Sequence, residues 1–311
     1  MTDAVREKAI TSPGRPERGR ESRGGTFLVT LGRRTLLSEG AALLAVAHKE
    51  WLIFRRYTGR LANMLIWPIL FPLGYIFSAR ALSGPDGSQV AAFGAVAGTT
   101  DYISFLAIGS TFYMWLNVTL WSVGFSLREE QLRGTLESNW LCPVWRISIM
   151  LGGALTRLGT MLVFLLITAA EFWLFFGINL LQGQPLLMGL IVLLTIPSIY
   201  GFGIGFGALV LRFKEANALV FIVRGIFLVF CGTTYPLAVL PDWMQAVAAW
   251  LPLTYTIHAI RALGSPSASF ADIAFDAQRL VVFGVLLPVF GFLAFRMTEQ
   301  RARRTGSLGQ F

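Results

Sequence analysis

Six apolar stretches recur along this chain of 311 residues, and each is long enough to cross a lipid bilayer. A hydrocarbon core of roughly 30 Å takes about 20 residues of helix. The chain is 55% hydrophobic and 14% charged, which leaves too little polar sequence to cover a soluble core. The sequence therefore predicts an all-α integral membrane protein with six transmembrane helices, over residues 61–82, 102–126, 150–180, 186–210, 218–240 and 280–296.

Basic residues gather on one side of this predicted layout. Of the 26 Lys and Arg residues, 22 precede the first span, lie in or beside the second and fourth loops, or follow the last span. Cytoplasmic segments carry such an excess, so both termini are predicted to be cytoplasmic in a multi-pass protein of the plasma or inner membrane. The same bias explains the net charge of +9 without a nucleic-acid partner, since no soluble basic face is available.

Composition divides the chain into four regions. Residues 1–38 are rich in Gly, Arg, Ser and Pro and are predicted to form a disordered basic cytoplasmic tail. Residues 39–60 carry an apolar stripe, which predicts an amphipathic helix in the cytoplasmic interface or, alternatively, a solvated extension of the first span. Residues 61–298 form the six-span domain, and residues 299–311 form a second basic tail. The stripe consists of Leu43, Leu44, Ala47, Trp51 and Phe54.

Residues that would support metal or nucleophilic chemistry are scattered. The two cysteines, Cys142 and Cys231, have no CxxC or Cys/His spacing, and His48 and His258 fall on opposite sides of the predicted membrane. No P-loop occurs, so neither a metal site nor an ATPase site is predicted on this chain. The fourth span contains small-xxx-small pairs, Gly201/Gly205 and Gly203/Gly207, which indicate close helix packing.

The predicted loop between the second and third spans has a distinctive local pattern. Leu132, Leu136 and Trp140 recur at helical spacing, and Pro143 ends the helix. Charged residues would lie on the opposite face of such a short helix. From the residues alone, this pattern is compatible either with an ordinary solvated loop or with a lever that receives motion from a soluble partner.

The loop and a second segment together resemble the permeases of second-type ABC exporters. The loop reads E-E-x-x-x-G-T-L-E, followed by P-V, and the second segment contains Tyr235-Pro236-Leu237, Leu240-Pro241-x-Trp243 and Leu251-Pro252-Leu253-Thr254-Tyr255. The resemblance covers about residues 40–300. It implies the membrane subunit of an ATP-driven exporter of drugs, lipids or glycans, which is not itself an enzyme.

The resemblance also implies partners and a coupling site. The loop would be a coupling helix that docks on a separate ABC-type ATPase, present in two copies, and ATP and Mg would bind that partner rather than this chain. A second permease copy would complete the complex, with a homodimer favoured over a heterodimer, in contact with membrane lipid. The coupling residues implied are Glu129, Glu130, Arg133, Gly134, Thr135, Leu136, Glu137 and Pro143.

Prolines divide the segment between the fifth and sixth spans into pieces of about ten residues, too short to span. Two short re-entrant helices that dip into the outer leaflet fit this pattern, and the resemblance implies the same. Irregular backbone at that depth is tolerated only against protein or a wet cavity, which predicts a cap over the exit of a pathway. The residues concerned are Pro236, Pro241, Trp243, Pro252, Tyr255 and Arg261.

Polar residues inside the spans are candidates for lining that pathway. Tyr113, Asn117 and Trp121 share one face of the second span, which fits either a lining or helix packing. Asn217 and Arg224 share a face of the fifth span, and Arg224 either lines the route or extends to the inner head groups. Glu171, late in the third span, is offset in depth by roughly 10 Å, so a direct pair with Arg224 is not expected.

Two other classes of protein are weaker readings of the sequence. A membrane enzyme acting on a lipid-linked substrate would need a carboxylate or His cluster at one membrane face, and Asp242, His258, Asp272 and Asp276 lack metal-ligand spacing. A secondary transporter would have inverted repeats with broken helices at matching positions, and no convincing repeat is found.

Overall fold

The computed structural model describes residues 36–82, 88–99, 101–126, 128–129, 134, 146–211, 213 and 216–305. The predicted N-terminal tail lies outside this part of the chain, apart from its last three residues. Six residues of the predicted coupling helix lie outside it as well: Glu130, Arg133, Thr135, Leu136, Glu137 and Pro143.

Within these ranges the chain is all-helical and contains no strand, as the sequence predicts. A five-residue π-helical segment, Leu120–Gly124, continues the fourth helix, and a 3₁₀ turn, Leu237–Val239, precedes the eighth. The α-helices are α1 (Leu36–Arg56), α2 (Thr58–Leu82), α3 (Ser88–Ala97), α4 (Tyr102–Thr119), α5 (Arg146–Phe176), α6 (Pro185–Val210), α7 (Ala216–Phe230), α8 (Asp242–Ala248), α9 (Pro252–Ala262) and α10 (Phe270–Thr305).

Four of the described helical segments are long and apolar enough to cross a membrane: Tyr102–Gly124, Leu151–Phe176, Pro185–Val210 and Phe270–Thr298. Two shorter apolar segments, Leu65–Ser78 in α2 and the whole of α7, stand where the sequence predicts the first and fifth spans. Helix α7 ends ten residues before the predicted stretch does. Gly232, with φ +64°, follows its last turn, and Pro236 is extended just before the 3₁₀ turn, so α7 does not continue through it.

Helix α4 and its π-helical extension form the centre of the molecule. Of the 18-residue window that characterises this span, 78% is buried, against 17% in α10. Trp115, Leu116 and Leu120 are essentially inaccessible. A segment covered on nearly all sides by other helices sets the positions of its neighbours, so α4 fixes where α2, α6 and α9 lie.

Helix α6 approaches two neighbours through alternate glycines. A Cβ at Gly201 would overlap the Pro288 nitrogen of α10, and one at Gly205 would lie 3.3 Å from the Gly291 Cα. On the opposite face, a Cβ at Gly207 would lie 3.1 Å from the Gly124 carbonyl oxygen. Glycine allows two helix backbones to approach closely, which matters in lipid because the hydrophobic effect does not hold helices together there. Both predicted small-xxx-small pairs are therefore packing sites, one for α10 and the other for α4 and its π-helical extension.

Helix α1 lies along the first half of α5 and is held there by polar contacts. The Thr156 hydroxyl donates to the Ala47 carbonyl at 2.8 Å, and the Ser148 hydroxyl donates to the Glu39 carboxylate at 2.7 Å. The predicted apolar stripe is therefore split. Leu43 and Ala47 are half-buried on the α5 side, whereas the exposed fractions of Leu44 and Trp51 are 63% and 49%.

The glycine contact between α6 and α10 predicts a sharp asymmetry between substitutions on α6. We expect Gly201→Ala to lower the free energy of unfolding by about 1–3 kcal/mol, because the added methyl overlaps the α10 backbone. Gly189→Ala, on the same helix with nothing within 4 Å, should be neutral or stabilising by up to about 1 kcal/mol. Thermal unfolding of both purified variants in detergent measures the difference, and equal stabilities would contradict the packing described.

Candidate functional site

Residues predicted to line a pathway meet where α4 approaches α7. The indole ring of Trp121 lies edge-on to the ring of Phe221, with centroids 6.1 Å apart. The Arg224 guanidinium lies over the same Phe221 ring, 5.6 Å from its centroid. The structure therefore brings Trp121 and Arg224 together through Phe221. Phe221 was not predicted from the sequence, although its position three residues before Arg224 on the same helix indicates that the two side chains can meet.

Two polar atoms in this region are buried and have no hydrogen-bond partner: Asn117 Oδ1 and Arg224 Nε. The Asn117 amide nitrogen makes only a long contact, 3.8 Å, to the Met114 sulfur. A buried polar group without a partner costs about 1–3 kcal/mol, so an acceptor and a donor are left unsatisfied here.

The remaining predicted lining residues are placed differently. Tyr113 is 2% exposed and stacks on Phe71 of α2, with ring centroids 5.3 Å apart, so it faces the protein interior. Asn217 is exposed near the start of α7. Glu171 of α5 has a buried carboxylate oxygen without a hydrogen-bond partner, and no ion pair joins Glu171 to Arg224. The lining roles of all these residues stay predictions.

The segment after α7 is folded around Arg261 of α9. Its guanidinium donates to three backbone carbonyls: Gly232 at 2.7 Å, Phe105 at 2.9 Å and Thr233 at 3.0 Å. It also stacks on the Phe105 ring, 3.2 Å from the centroid. Burial lowers the pKa of Arg261 to about 9, which leaves the group charged at neutral pH. One side chain thus ties α9 to the first turn of α4 and to the turn that ends α7.

The other predicted residues of this segment shape its two short helices. Pro241 precedes α8 and Pro252 is the first residue of α9, where proline's missing N–H is not needed, and Pro236 precedes the 3₁₀ turn. Tyr255 is buried, and its hydroxyl donates to the Ala249 carbonyl at 2.9 Å. Trp243 is 64% exposed, and its ring lies 6.2 Å from that of Phe230.

A cavity of about 820 Å³ opens beside Arg261. Its lining combines apolar side chains with several polar ones, among them Asp101, Ser104, Gln182 and His258. It is bounded by the start of α4, the connection between α5 and α6, the segment after α7, and α9. The cavity is large enough for a small molecule and carries both hydrogen-bonding and apolar surface.

His258 forms an ion pair at the edge of this cavity. Its Nδ1 lies 2.7 Å from Oδ2 of Asp276 in α10; the histidine side chain is 65% exposed and the aspartate 6%. The hydrogen bond with Asp276 raises the pKa of His258 above its usual value, against a smaller opposing effect of burial. The pair joins α9 to α10 most strongly when the ring is protonated.

Of the predicted coupling residues, Glu129 and Gly134 are described. The Glu129 amide donates to the Phe125 carbonyl at 2.9 Å, so helical hydrogen bonding continues beyond the π-helical segment. Gly134 has φ +68°, and no atom of the described part of the chain lies within 4 Å of its Cβ position. That backbone conformation strains residues with a side chain and so favours glycine.

Comparison with known proteins gives one family and two relatives. The profile of the ABC-2 type transporter family matches residues 41–263. The chain is 23% identical over 307 residues to the daunorubicin resistance ABC transporter permease protein DrrB1 of Streptomyces coeruleorubidus, covering 94% of this chain and 98% of that protein. It is 32% identical over 136 residues to the putative transport permease ycf38 of Cyanophora paradoxa, covering 40% of this chain and 46% of that protein.

The Arg261 contacts predict a specific loss on conservative replacement. Arg261→Lys keeps the charge but cannot reach three carbonyls from a planar group, so we expect a loss of about 1–3 kcal/mol in the free energy of unfolding. Hydrogen exchange should rise in the segment after α7 and in α9, with little change in α6. Unchanged exchange in both segments would show that Arg261 does not hold them.

The His258–Asp276 pair predicts a pH dependence of stability. Because the folded-state pKa of His258 is raised, its contribution is fully present below the unfolded value of about 6.5 and is lost as pH rises through the folded value. The melting temperature of the purified chain should fall over that window by no more than about 2 °C, since the ring is largely exposed. His258→Gln should abolish this fall and His48→Gln should retain it. A fall that persists in His258→Gln would assign it to another group.

Proposed function

We infer that this chain, which belongs to the ABC-2 type transporter family, is the permease subunit of an exporter driven by ATP. The observation that carries this inference is the meeting of Trp121, Phe221 and Arg224 between α4 and α7. A cation inside an otherwise apolar membrane helix costs free energy, and such residues are typical of transport routes. The route runs along α4 and α7, which correspond to the predicted second and fifth spans.

The proposed topology has six spans with both termini in the cytoplasm of a cell membrane. The two shorter apolar segments, Leu65–Ser78 and α7, supply the first and fifth spans next to the four long ones. The distribution of Lys and Arg supports this orientation, because 22 of 26 fall on the side assigned to the cytoplasm. With this orientation the cavity beside Arg261 opens to the outside.

Helices α8 and α9 are proposed to dip into the outer leaflet. Exposed apolar side chains support this placement: Val239 is 62% exposed, Trp243 64% and Trp250 78%. Tryptophan is favoured at the level of the lipid head groups, where its ring is apolar and its N–H can bond to water. The two helices would then cover the outer end of the route, and Arg261 would hold α9 to α4 and to the turn after α7.

The cargo is proposed to be an amphipathic small molecule, lipid or glycan. The relative from Streptomyces coeruleorubidus is named for daunorubicin resistance and matches along 94% of this chain, which supports an amphipathic cargo of small-molecule size. The aromatic and polar side chains between α4 and α7 suit a molecule that has both kinds of surface.

A separate ABC-type ATPase, in two copies, is proposed to supply the energy to a dimer of this chain. Glu129, the first of the predicted coupling residues, donates its amide to the Phe125 carbonyl just beyond the π-helical segment. A push on Glu129 would therefore be passed towards α4 through this hydrogen bond. ATP and Mg would bind the partner.

This proposal predicts that the chain purified alone hydrolyses no ATP, whereas gentle extraction from its native membrane recovers it with an ABC-type ATPase that does. Mass spectrometry of the affinity-purified complex and a phosphate-release assay measure both points. Hydrolysis by the isolated chain, or the absence of any ATPase from the complex, would contradict it.

Gly134 supplies a matched pair of variants for the coupling segment. Gly134→Val forces a β-branched residue into a left-handed conformation that costs about 1–2 kcal/mol, so transport-coupled hydrolysis should fall. Gly134→Asn tolerates the same backbone angles and should retain most of it. Both variants leave the membrane helices untouched. Equal activity in both would remove this turn from the coupling mechanism.

A further inference from the structure

We propose that the face formed by Asn117, Trp121, Phe221 and Arg224, here called the Arg224 face, selects cargo that carries a negative charge. This inference rests on the proposed export function and adds the charge class of the substrate. The cargo it specifies is an amphipathic anion, with a carboxylate, phosphate or similar oxyanion attached to an aromatic or acyl body.

Arg224 has no counter-ion within the described part of the chain. Its Nε is buried without a hydrogen-bond partner, and the contact that the guanidinium does make is with the Phe221 ring. Helices α4, α6 and α7 contain no Asp or Glu. The acidic residue of α5 within the membrane, Glu171, has a buried oxygen without a partner as well. Glu171 therefore does not serve as the counter-ion of Arg224.

Arg224 lies deep within α7. Arg224 is eight residues from the start of α7, which places its Cα about 12 Å along the helix axis. A cation at such a depth is disfavoured by about 2.5–3.5 kcal/mol on insertion scales. That free energy is recovered when a buried oxyanion accepts charge-assisted hydrogen bonds from the guanidinium, and such bonds are roughly twice as strong as neutral ones.

Aromatic and polar side chains lie next to the cation. The rings of Trp121 and Phe221 form an edge-to-face pair beside it, which offers apolar and aromatic surface. The amide of Asn117 lies on the same side of α4, one turn before Trp121, with an unpartnered oxygen that accepts from a donor such as a hydroxyl. An amphipathic anion satisfies the guanidinium and the rings, and one that also carries a hydroxyl satisfies Asn117. A cationic amphiphile meets like charge at Arg224, where repulsion is poorly screened.

Three probes with one aromatic body test this selectivity: pyrenebutyrate, pyrenebutanol and pyrenebutylamine, which are anionic, neutral and cationic. Energy transfer from tryptophan to pyrene measures binding to the full-length chain in phosphatidylcholine nanodiscs, after subtraction of the signal from empty discs. We expect the wild-type chain to bind the anion at least about tenfold more tightly than the cation. Equal binding, or tighter binding of the cation, would overturn the proposal.

The variants assign the preference to Arg224. Arg224→Gln should bring the anion-to-cation ratio to about one, and Arg224→Lys should retain part of the preference, because it keeps the charge but loses the planar fork. Arg279→Gln is the matched control, since Arg279 also lies over a phenylalanine ring, 5.0 Å from the Phe275 centroid, at the outer end of α10. A preference that persists in Arg224→Gln, or disappears in Arg279→Gln, would overturn the proposal.

Two other occupants give different results. If phospholipid phosphate occupies the Arg224 face, phosphatidylglycerol discs will weaken pyrenebutyrate binding in the wild type but not in Arg224→Gln. If a second copy of the chain covers it, Arg224→Gln will change the oligomeric state seen by native mass spectrometry. We expect neither change, and either one would overturn the proposal.

Failure of this inference and failure of the export function are distinguishable. A wild-type chain that lacks the anion preference but stimulates ATP hydrolysis by its co-purified ATPase retains the export function and loses only the charge selectivity. A chain that associates with no ATPase loses the export function, whatever its preference among the probes.

Discussion

The close approach of α6 to its two neighbours is the constraint on which the rest of the molecule depends. Lipid is as apolar as leucine, so helices inside a membrane are held by packing and hydrogen bonds rather than by the hydrophobic effect. Gly201 and Gly205 admit the α10 backbone on one side of α6, and Gly203 and Gly207 admit the end of α4 on the other. A hydrogen bond from the Ser198 hydroxyl to the Leu280 carbonyl, at 3.3 Å, adds to the α10 contact, and the Thr195 and Thr256 hydroxyls, 2.9 Å apart, join α6 to α9. With α4 and α10 fixed in this way, α9 and α7 have defined surfaces to pack on.

The sequence predicted where the helices lie along the chain more completely than which helices pack against each other. Helix α6 was predicted over residues 186–210 and occupies Pro185–Val210, because a long apolar run with Pro at its start leaves little ambiguity. The glycine pairs indicated packing, but nothing in a single sequence tells which neighbour each pair meets. The end of α7 was misplaced, since apolar content continues through residues 231–240 whereas the backbone turns at Gly232. Long-range contacts decide both matters.

The candidate site was predicted in part. Asn117, Trp121 and Arg224 were recognised because polar groups in apolar helices are costly, but Phe221, which connects two of them, is an ordinary apolar residue in the sequence. Arg261 was identified as part of the outer segment, while its three carbonyl acceptors come from the turn after α7, 28 and 29 residues away, and from α4, 156 residues away. Such an arrangement follows from the fold and has no local signal. The roles of the residues between Glu130 and Pro143 stay predictions.

The π-helical segment Leu120–Gly124 has a consequence for the evolution of this region. A π-turn is an α-helix with one inserted residue, and each inserted residue rotates everything beyond it by about 100° around the helix axis. Deleting one residue here would leave the apolar content of the span nearly unchanged, yet would turn the start of the coupling segment to a different direction. Single-residue gaps between relatives at this position would therefore mark real changes in the orientation of that segment. A family can change the direction of the segment that follows at this point while it keeps the packing of α4 intact.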